Sequence, residues 1–166
     1  KVLLGDSLDE QKSRVNDYEE FLGQTLGEAL LEPSRIYVQP IMEMLDKEID
    51  LKAMVHITSG GFCNLNRVAC DGIRFVIDRL QPVPEIFNLI QDRGGVSEAE
   101  MFEVFNMGTG FCLVVEGIKE VEAISEICKA YDLPCQVIGQ IEASQDKEVC
   151  LPTKQLIGKG SKFKVS

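Results

Sequence analysis

Long apolar runs are missing from this chain of 166 residues. No segment approaches the ~18 consecutive apolar residues that a membrane-spanning helix needs. The opening stretch, residues 1–6, also lacks the cationic start and apolar core of a signal peptide. The sequence therefore predicts a soluble, cytoplasmic protein without a membrane partner.

Positive charge is scarce as well. Seventeen Lys and Arg residues stand against 27 Asp and Glu, which gives a formal net charge of −10 and a pI near 4.6. The cations are dispersed rather than clustered, so the chain would repel a phosphodiester backbone, and a nucleic-acid polymer is excluded as a partner. A small phosphorylated ligand remains compatible, because backbone N–H groups and one or two local cations can hold it.

Patterns of metal ligands are absent from the sequence. His56 is the single histidine and has no second plausible ligand near it in the chain, and none of the six cysteines forms a C-x-x-C pair. The sequence predicts no metal site. Cysteines in apolar, patterned segments favour reduced structural thiols over disulfides or metal ligands.

The composition that is present fits one globular domain. Hydrophobic residues make up 45% and charged residues 27%, and a chain of this length can bury a core without metals or disulfides. We expect residues 1–17 to be a linker or irregular lead-in, residues 18–152 to form the domain, and the lysine-rich residues 153–166 to be a flexible tail.

Hydrophobic periodicity predicts helices and strands that interleave along the chain. The predicted helices cover residues 18–31, 34–45, 84–93, 97–106 and 118–131, and the predicted strands cover residues 53–58, 73–78, 110–116, 136–141 and 148–151. The spacing lacks the regular βαβ repeat of a doubly wound fold. We expect an α+β fold in which helices pack on a mixed β-sheet of about four to five strands.

A strand that ends in small residues, at positions 55–62, is the first candidate for chemistry. His56 and Thr58 alternate along the strand and share one face. Gly60 and Gly61 allow a tight bend and close approach of a ligand, and an α-helical turn after them would favour an anion. An ordinary strand-to-helix turn with a satisfied core histidine would give the same pattern.

A second small-residue segment, residues 105–110, links a helix to the most apolar strand. The helix begins with a capping box at Ser97 and Glu100. Asn106 and Gly108 suit the left-handed conformations of a helix C-terminus. The segment is either such a cap with a tight turn or the second wall of a ligand cleft, and local physics does not separate the two.

Four elements, in order along the chain, resemble the phosphoribosylformylglycinamidine cyclo-ligases, also called aminoimidazole ribonucleotide synthetases. These elements are LEPSRIYV at 31–38, HITSGGF at 56–62, EMF at 100–102 and FNMGTG at 105–110. The chain departs from the family in having Ser59 for a glycine, a segment one residue shorter at 63–67, and Thr109 for a branched apolar residue. Position 1 lies after a motif of the family's N-terminal domain, so the chain resembles an isolated C-terminal domain.

The resemblance implies an enzyme of purine biosynthesis. Formylglycinamidine ribonucleotide and ATP would give aminoimidazole ribonucleotide, ADP and phosphate. ATP and Mg²⁺ would be bound mainly by the N-terminal domain, which is a further expected partner and without which we expect no activity. A homodimer is expected for the full-length enzyme.

The resemblance also suggests site residues. His56 is the expected catalytic residue, and the expected substrate-binding residues are Thr58, Ser59, Gly60, Gly61, Asn64, Arg67, Asn106, Gly108 and Arg35. We expect the two small-residue bends to fold onto a common rim and to leave their amide hydrogens free for a phosphorylated ligand.

Two other interpretations remain open at the level of sequence. The chain could be a non-catalytic module that binds a phosphorylated metabolite. It could also be the same domain from a relative such as selenophosphate synthetase or formylglycinamidine synthase.

Overall fold

The computed structural model describes residues 2–166. The helices within this range are α1 (Leu8–Arg14), α2 (Leu26–Leu30), α3 (Val38–Asp46), α4 (Glu85–Gly94), α5 (Glu98–Val104) and α6 (Ile118–Ala130). The strands are β1 (Tyr18–Glu19), β2 (Gln24–Thr25), β3 (Ala53–His56), β4 (Ile73–Ile77), β5 (Phe111–Val114), β6 (Gly139–Ala143), β7 (Glu148–Leu151), β8 (Leu156–Lys159) and β9 (Lys162–Val165). Two 3-10 segments cover Gly61–Arg67 and Pro152–Lys154.

The main sheet is mixed and has five strands in the order β6-β4-β7-β8-β9, in which only the β4–β7 pair is parallel. Strands β3 and β5 form a separate antiparallel ribbon, and β1 pairs with β2. The predicted α+β class is confirmed. The composition of the sheet differs from the prediction, because β3 and β5 lie outside it.

Two hydrophobic clusters hold these elements together. The larger cluster packs the 3-10 segment and α5 on the main sheet, and the rings of Phe62 and Phe102, both fully buried, lie 5.7 Å apart in it. The smaller cluster joins α3 to α6 through Met44, Ile124 and Ile127. The ribbon of β3 and β5 contributes side chains to both clusters, and this position fixes the loops at its ends.

The N-terminal part contains more regular structure than the sequence predicts. Helix α1 lies inside the expected irregular lead-in, and a capping box between Ser7 and Glu10 starts it. The helix predicted over residues 18–31 is wrong for most of its length: a short hairpin precedes α2, and Phe21 is 59% exposed. Leu26 is fully buried but Leu30 is 45% exposed, so the apolar residues of this run do not share one buried face and their spacing misled the assignment.

The start of α3 also differs from the sequence prediction. The helix predicted over residues 34–45 begins only at Val38; Tyr37 stands at the N-cap position and makes no side-chain capping bond. Pro40 lies in the first turn, where its missing N–H leaves no helical hydrogen bond unmade. The proline therefore moves the helix start toward the C-terminus, and residues 31–36 remain outside any helix or strand.

Residues 153–166, for which the sequence predicts no regular structure, form the hairpin of β8 and β9. Leu156 and Phe163 are 3% and 5% exposed, so both strands contribute to the core. The carboxylate of Glu103 on α5 accepts a hydrogen bond from the Phe163 N–H at 2.7 Å and one from Lys162 Nζ at 2.8 Å. The outward-facing lysines make the segment look polar in the sequence, so its alternating strand pattern was not recognised. The domain boundaries at 18 and 152 stay a prediction.

Candidate functional site

The register of the ribbon brings the two small-residue loops together. His56 on β3 pairs with Phe111 on β5, and the Ile57 N–H donates to the Gly110 carbonyl at 2.9 Å. The loop that leaves β3 and the loop that enters β5 therefore lie side by side at one end of the ribbon. We call this end, formed by residues 56–60 and 106–111, the rim. It is the common rim that the sequence predicts.

Two glycines make the bend after β3 possible. Gly60 and Gly61 have φ angles of 107° and 51°, which residues with a side chain rarely adopt. A Cβ at Gly61 would overlap the carbonyl oxygen of Phe102, and a Cβ at Gly60 would lie 2.6 Å from Asn64 Oδ1. The chain turns here directly against α5 and its own 3-10 segment.

The second loop is held by its own asparagine and by a proline pair. The Gly108 N–H donates to Asn106 Oδ1 at 3.0 Å, and Gly108 has a φ of 91°. A Cβ at Gly108 would lie 2.6 Å from Pro84 Cδ and 3.2 Å from the Pro82 carbonyl oxygen. Asn106 therefore shapes this loop from within. The predicted left-handed cap at Asn106 is wrong, because the C-cap of α5 is Phe105 in an extended conformation and the left-handed residues are Met107 and Gly108.

The expectation that these loops leave their amide hydrogens free is wrong at four positions. The Gly61 N–H donates to the Thr58 carbonyl and the Cys63 N–H to the Gly60 carbonyl, while the N–H groups of Gly108 and Thr109 donate to Asn106 Oδ1 and to the Asn106 carbonyl. The segment after the glycines is also a 3-10 segment and not the expected α-helical turn. These backbone donors are therefore used within the turns themselves.

His56 lies at the surface of the rim, whereas its strand neighbours Val55 and Ile57 are buried. Its imidazole centroid lies 5.9 Å from the Tyr37 ring and 5.7 Å from the Phe111 ring. The alternative of a satisfied core histidine is therefore excluded. Thr58, two positions on and just beyond the end of β3, is exposed as well.

Tyr37 is a site residue that the sequence did not single out. Its ring lies 5.2 Å from that of Phe111, and its hydroxyl packs over Gly110 where any Cβ would overlap it. Burial raises the pKa of this phenol, and the charge of Arg35 opposes that rise in pKa. Tyr37 therefore keeps its proton near neutrality and can donate a hydrogen bond. Its place in the LEPSRIYV element was the available signal.

Asn64 is placed under the rim and not on it. Its side chain is 1% exposed, and Nδ2 donates to the His56 carbonyl at 3.3 Å and to Thr58 Oγ1 at 3.5 Å. We interpret Asn64 as a positioning residue that holds the loop on which His56 and Thr58 stand. This burial does not favour the direct contact with substrate that the resemblance suggested.

Two arginines supply positive charge at the rim. Arg67 and Arg35 are exposed, and neither has a salt bridge to a residue within 2–166. The Arg67 guanidinium lies 3.5 Å from where a Cβ of Gly60 would be, and Arg35 is close enough to Tyr37 to affect its pKa. With the exposed Ser59 hydroxyl, they form a small cationic, hydrogen-bonding surface in an acidic protein.

The described part of the chain offers no set of metal ligands. No group of three or more His, Cys, Asp or Glu side chains within residues 2–166 could hold a metal ion. All six cysteines are free thiols, and burial raises the pKa of Cys63 to about 11 and that of Cys112 to about 12. The residues of the rim therefore do not fit Mg²⁺, and we assign no step of chemistry to that ion. None of the helices in residues 2–166 has the length and apolarity to span a membrane.

Comparison with known proteins gives consistent matches. The family model described as AIR synthase related protein, C-terminal domain, matches residues 4–151. A phosphoribosylformylglycinamidine cyclo-ligase of Methanococcus maripaludis is 45% identical over 122 residues, which is 74% of this chain and 34% of that protein. Proteins of the same name from Methanocaldococcus jannaschii and Staphylococcus epidermidis are 43% and 39% identical over 132 and 143 residues, covering 78% and 85% of this chain and 37% and 41% of theirs.

The chain thus spans between about a third and two fifths of the length of these relatives. The matched range of the family model contains both ribbon strands and every residue of the rim. The chain belongs to the AIR synthase related proteins, as their C-terminal domain.

Proposed function

We propose that this chain is the C-terminal domain of a phosphoribosylformylglycinamidine cyclo-ligase of de novo purine biosynthesis. The observation that carries the proposal is the rim itself. One end of the β3–β5 ribbon collects an exposed imidazole at His56, a phenol at Tyr37 and two cations at Arg35 and Arg67 beside two glycine bends. Phosphorylated substrates are held by such donors.

The proposed reaction needs positioning and charge stabilisation more than a protein nucleophile. The γ-phosphoryl group of ATP passes to the formyl amide oxygen of formylglycinamidine ribonucleotide, and ADP leaves. The amidine nitrogen then attacks the activated carbon and forms the C–N bond of the imidazole ring, and the C–O bond breaks to release phosphate. A surface of hydrogen-bond donors suits the charge that develops on oxygen in both steps.

Each side chain of the rim has a proposed part. His56 donates a hydrogen bond to the oxygen that becomes phosphorylated, or moves a proton during ring closure, because an imidazole can both donate and accept a proton. Arg67, Arg35 and the hydroxyls of Thr58 and Ser59 bind the phosphate or ribose of the substrate. Gly60 and Gly61 carry no side chains and so leave space for the substrate on the β3 side of the rim. Asn106 and Gly108 form the side that faces it.

The remaining chemistry is proposed to come from a second domain. ATP and Mg²⁺ would be bound mainly there, and the homodimer expected for the longer enzyme stays a prediction. Exposed apolar side chains near Tyr37 are available to such a partner: Leu31, Ile36 and Val38 are 82%, 77% and 66% exposed, and the last two are the chain neighbours of Tyr37. Exposed apolar surface is the kind that protein–protein contacts cover.

A chimera tests the proposal. The segment of the Methanococcus maripaludis cyclo-ligase that matches this chain is replaced by residues 1–166, and formation of aminoimidazole ribonucleotide is measured with purified protein. We expect the chimera to be active and its His56→Ala variant to lose about 100-fold or more in kcat. The fold of the variant should be unchanged, because His56 is exposed.

Lys119→Ala on α6 is the matched control, since it removes an exposed side chain beyond the far end of β5. It should leave kcat unchanged. A folded chimera without activity would favour the non-catalytic module, and an active chimera that tolerates His56→Ala would remove the proposed part of His56.

A further inference from the structure

Gly110, directly before β5, has no side chain at the point where the phenol of Tyr37 meets the backbone. Its φ is not positive, so a left-handed conformation is not the reason for a glycine here. A Cβ at Gly110 would overlap Tyr37 Oη and would lie 3.1 Å from Tyr37 Cζ. Position 110 therefore needs glycine for the space that the phenol occupies, whereas Gly108, with a φ of 91°, needs it for the backbone conformation.

The same Tyr37 ring contacts His56. Its centroid lies 5.9 Å from that of the imidazole and the two planes form an angle of 74°, which is the edge-to-face arrangement that aromatic pairs favour. Phe111, the cross-strand neighbour of His56, completes the group, since its ring lies 5.2 Å from Tyr37 and 5.7 Å from His56. Two rings thus border the imidazole, although His56 as a whole is exposed.

The backbone at Gly110 is held more firmly than the Tyr37 ring. The Gly110 carbonyl accepts a hydrogen bond from the Ile57 N–H at 2.9 Å, next to the pairing of β3 with β5. Tyr37 stands at the N-cap of α3, makes no side-chain capping bond and is only partly buried. A methyl group added at Gly110 would therefore displace the ring and leave the strand pairing in place.

We propose that Gly110 and Tyr37 are positioning residues for His56. The absence of a side chain at position 110 leaves room for the phenol, and the Tyr37 and Phe111 rings together limit the orientations of the imidazole. The importance of this orientation for catalysis rests on the proposed function, whereas the orientation itself is a property of the chain without substrate.

The orientation can be measured because His56 is the single histidine, so its imidazole C–H groups give unambiguous signals in a proton–carbon NMR spectrum of the chain. Gly110→Ala should move these signals toward their positions in the urea-unfolded chain, because the displaced Tyr37 ring no longer borders the imidazole. Tyr37→Phe keeps the ring and should leave the signals near the parent positions. In the double variant Tyr37→Phe/Gly110→Ala most of the movement should be absent, since the overlapping hydroxyl is missing.

Gly117→Ala, beyond the other end of β5, is the matched control. Gly117 has a φ of −141°, and among residues 2–166 its Cβ would meet only Glu120 Oε2, at 3.1 Å. This variant should leave the imidazole signals unchanged. Unchanged signals in folded Gly110→Ala, or equal movement in the single and the double variant, would overturn the proposal.

Circular dichroism establishes which variants are folded. Should Gly110→Ala be unfolded, the double variant Tyr37→Phe/Gly110→Ala decides. A folded double variant with the parent imidazole signals would support the proposal, and one that is unfolded, or whose signals are displaced, would contradict it.

The cyclo-ligase chimera measures the effect on catalysis. Gly110→Ala should lower kcat by about tenfold or more and leave KM within about twofold, because a misplaced catalytic group affects the transition state more than substrate binding. In the Tyr37→Phe background the same substitution should lower kcat by less than about twofold. An unchanged kcat, equal losses in both backgrounds or a change confined to KM would contradict the positioning role. An inactive chimera would count against the proposed function, and the NMR comparison would still decide whether Gly110 and Tyr37 orient His56.

Discussion

Two glycines that share a left-handed backbone conformation differ in what surrounds them. Gly61 and Gly95 have φ angles of 51° and 58°. A Cβ at Gly61 would overlap the Phe102 carbonyl oxygen, whereas nothing lies within 4 Å of a Cβ at Gly95. The HITSGGF element identified the tight bend at Gly61 in advance. The packing of α5 against Gly61 is a tertiary contact, and the local sequence does not specify it.

This difference gives a prediction about stability. Gly61→Ala should lower the free energy of unfolding by about 3 kcal/mol or more, because backbone atoms have to move in addition to the cost of the positive φ. Gly95→Ala carries only the conformational cost, about 1 kcal/mol. Urea denaturation of both variants measures the two values, and equal losses would mean that Gly61 does not pack against α5.

A second residue-scale prediction concerns Asn64. Asn64→Ala leaves the His56 carbonyl and Thr58 Oγ1 without this donor and opens space in the core, so we expect a loss of about 2 kcal/mol in unfolding free energy. Asn16→Ala is the control, because Asn16 is exposed and bonds only the Lys12 carbonyl. Should both variants unfold at the same urea concentration, Asn64 would not support the loop.

Sequence could identify the loop of Asn64 but not the orientation of this side chain. The expected α-helical turn would have exposed it toward a ligand, and the observed 3-10 segment turns it inward. A 3-10 segment rotates each residue by a larger angle than an α-helix does, so a change of helix type redirects every side chain in it. That choice is made by packing against α5 and the main sheet.

At the scale of elements, buried strands and capped helices were predictable, and surface segments were not. β3, β4, β5 and α6 all lie within their predicted ranges, since each carries a clear buried face. The pairing of β3 with β5 outside the main sheet was not predictable, because alternation identifies a buried face but not the neighbouring strand. The hairpin of β8 and β9 was missed for the reason that its exposed face is rich in lysine.

The attachment of that hairpin to α5 leads to a third prediction. Glu103→Ala removes the acceptor of both the Phe163 N–H and Lys162 Nζ, so the unfolding free energy should fall by about 2 kcal/mol. Lys162→Ala removes only the exposed partner and should cost less than about 1 kcal/mol. Thermal or urea unfolding measures the loss of unfolding free energy in each variant. Equal losses would show that the backbone hydrogen bond of Phe163 to Glu103 contributes nothing.

The pair of Arg74 and Glu142, which face each other across β4 and β6, predicts a dependence on pH. The guanidinium donates to Glu142 Oε2 at 3.0 Å from Nε, and this bond holds the pKa of Glu142 below its usual value. A depressed folded-state pKa stabilises the fold above the unfolded pKa, and the contribution is lost as pH falls through the folded pKa. Glu142→Gln should therefore be less stable than the parent at pH 7, and the difference should shrink at pH 3. A difference in urea midpoint that is independent of pH would contradict this.

For the whole molecule, hydrophobic periodicity and the spacing of the elements predicted an α+β fold, and both the structure and the family match support that assignment. The acidic net charge of −10 makes the local cations at Arg35 and Arg67 more informative, because they stand against the field of the rest of the surface. The cavity of about 590 Å³ that α3, α6, β4, β5 and β6 line was not predictable, because local sequence does not specify how the β3–β5 ribbon lies relative to the main sheet.

The most direct test of the rim is a titration of the isotopically labelled chain with formylglycinamidine ribonucleotide, followed by backbone amide NMR. This measurement detects millimolar binding, so it needs no partner domain. We predict chemical-shift changes concentrated in residues 56–60 and 106–111 and at Arg67, and none at Gly23, Gly95 or Gly160. Changes that spare both loops, or no change up to about 10 mM ligand, a concentration that corresponds to less than ~3 kcal/mol of binding free energy, would contradict the account.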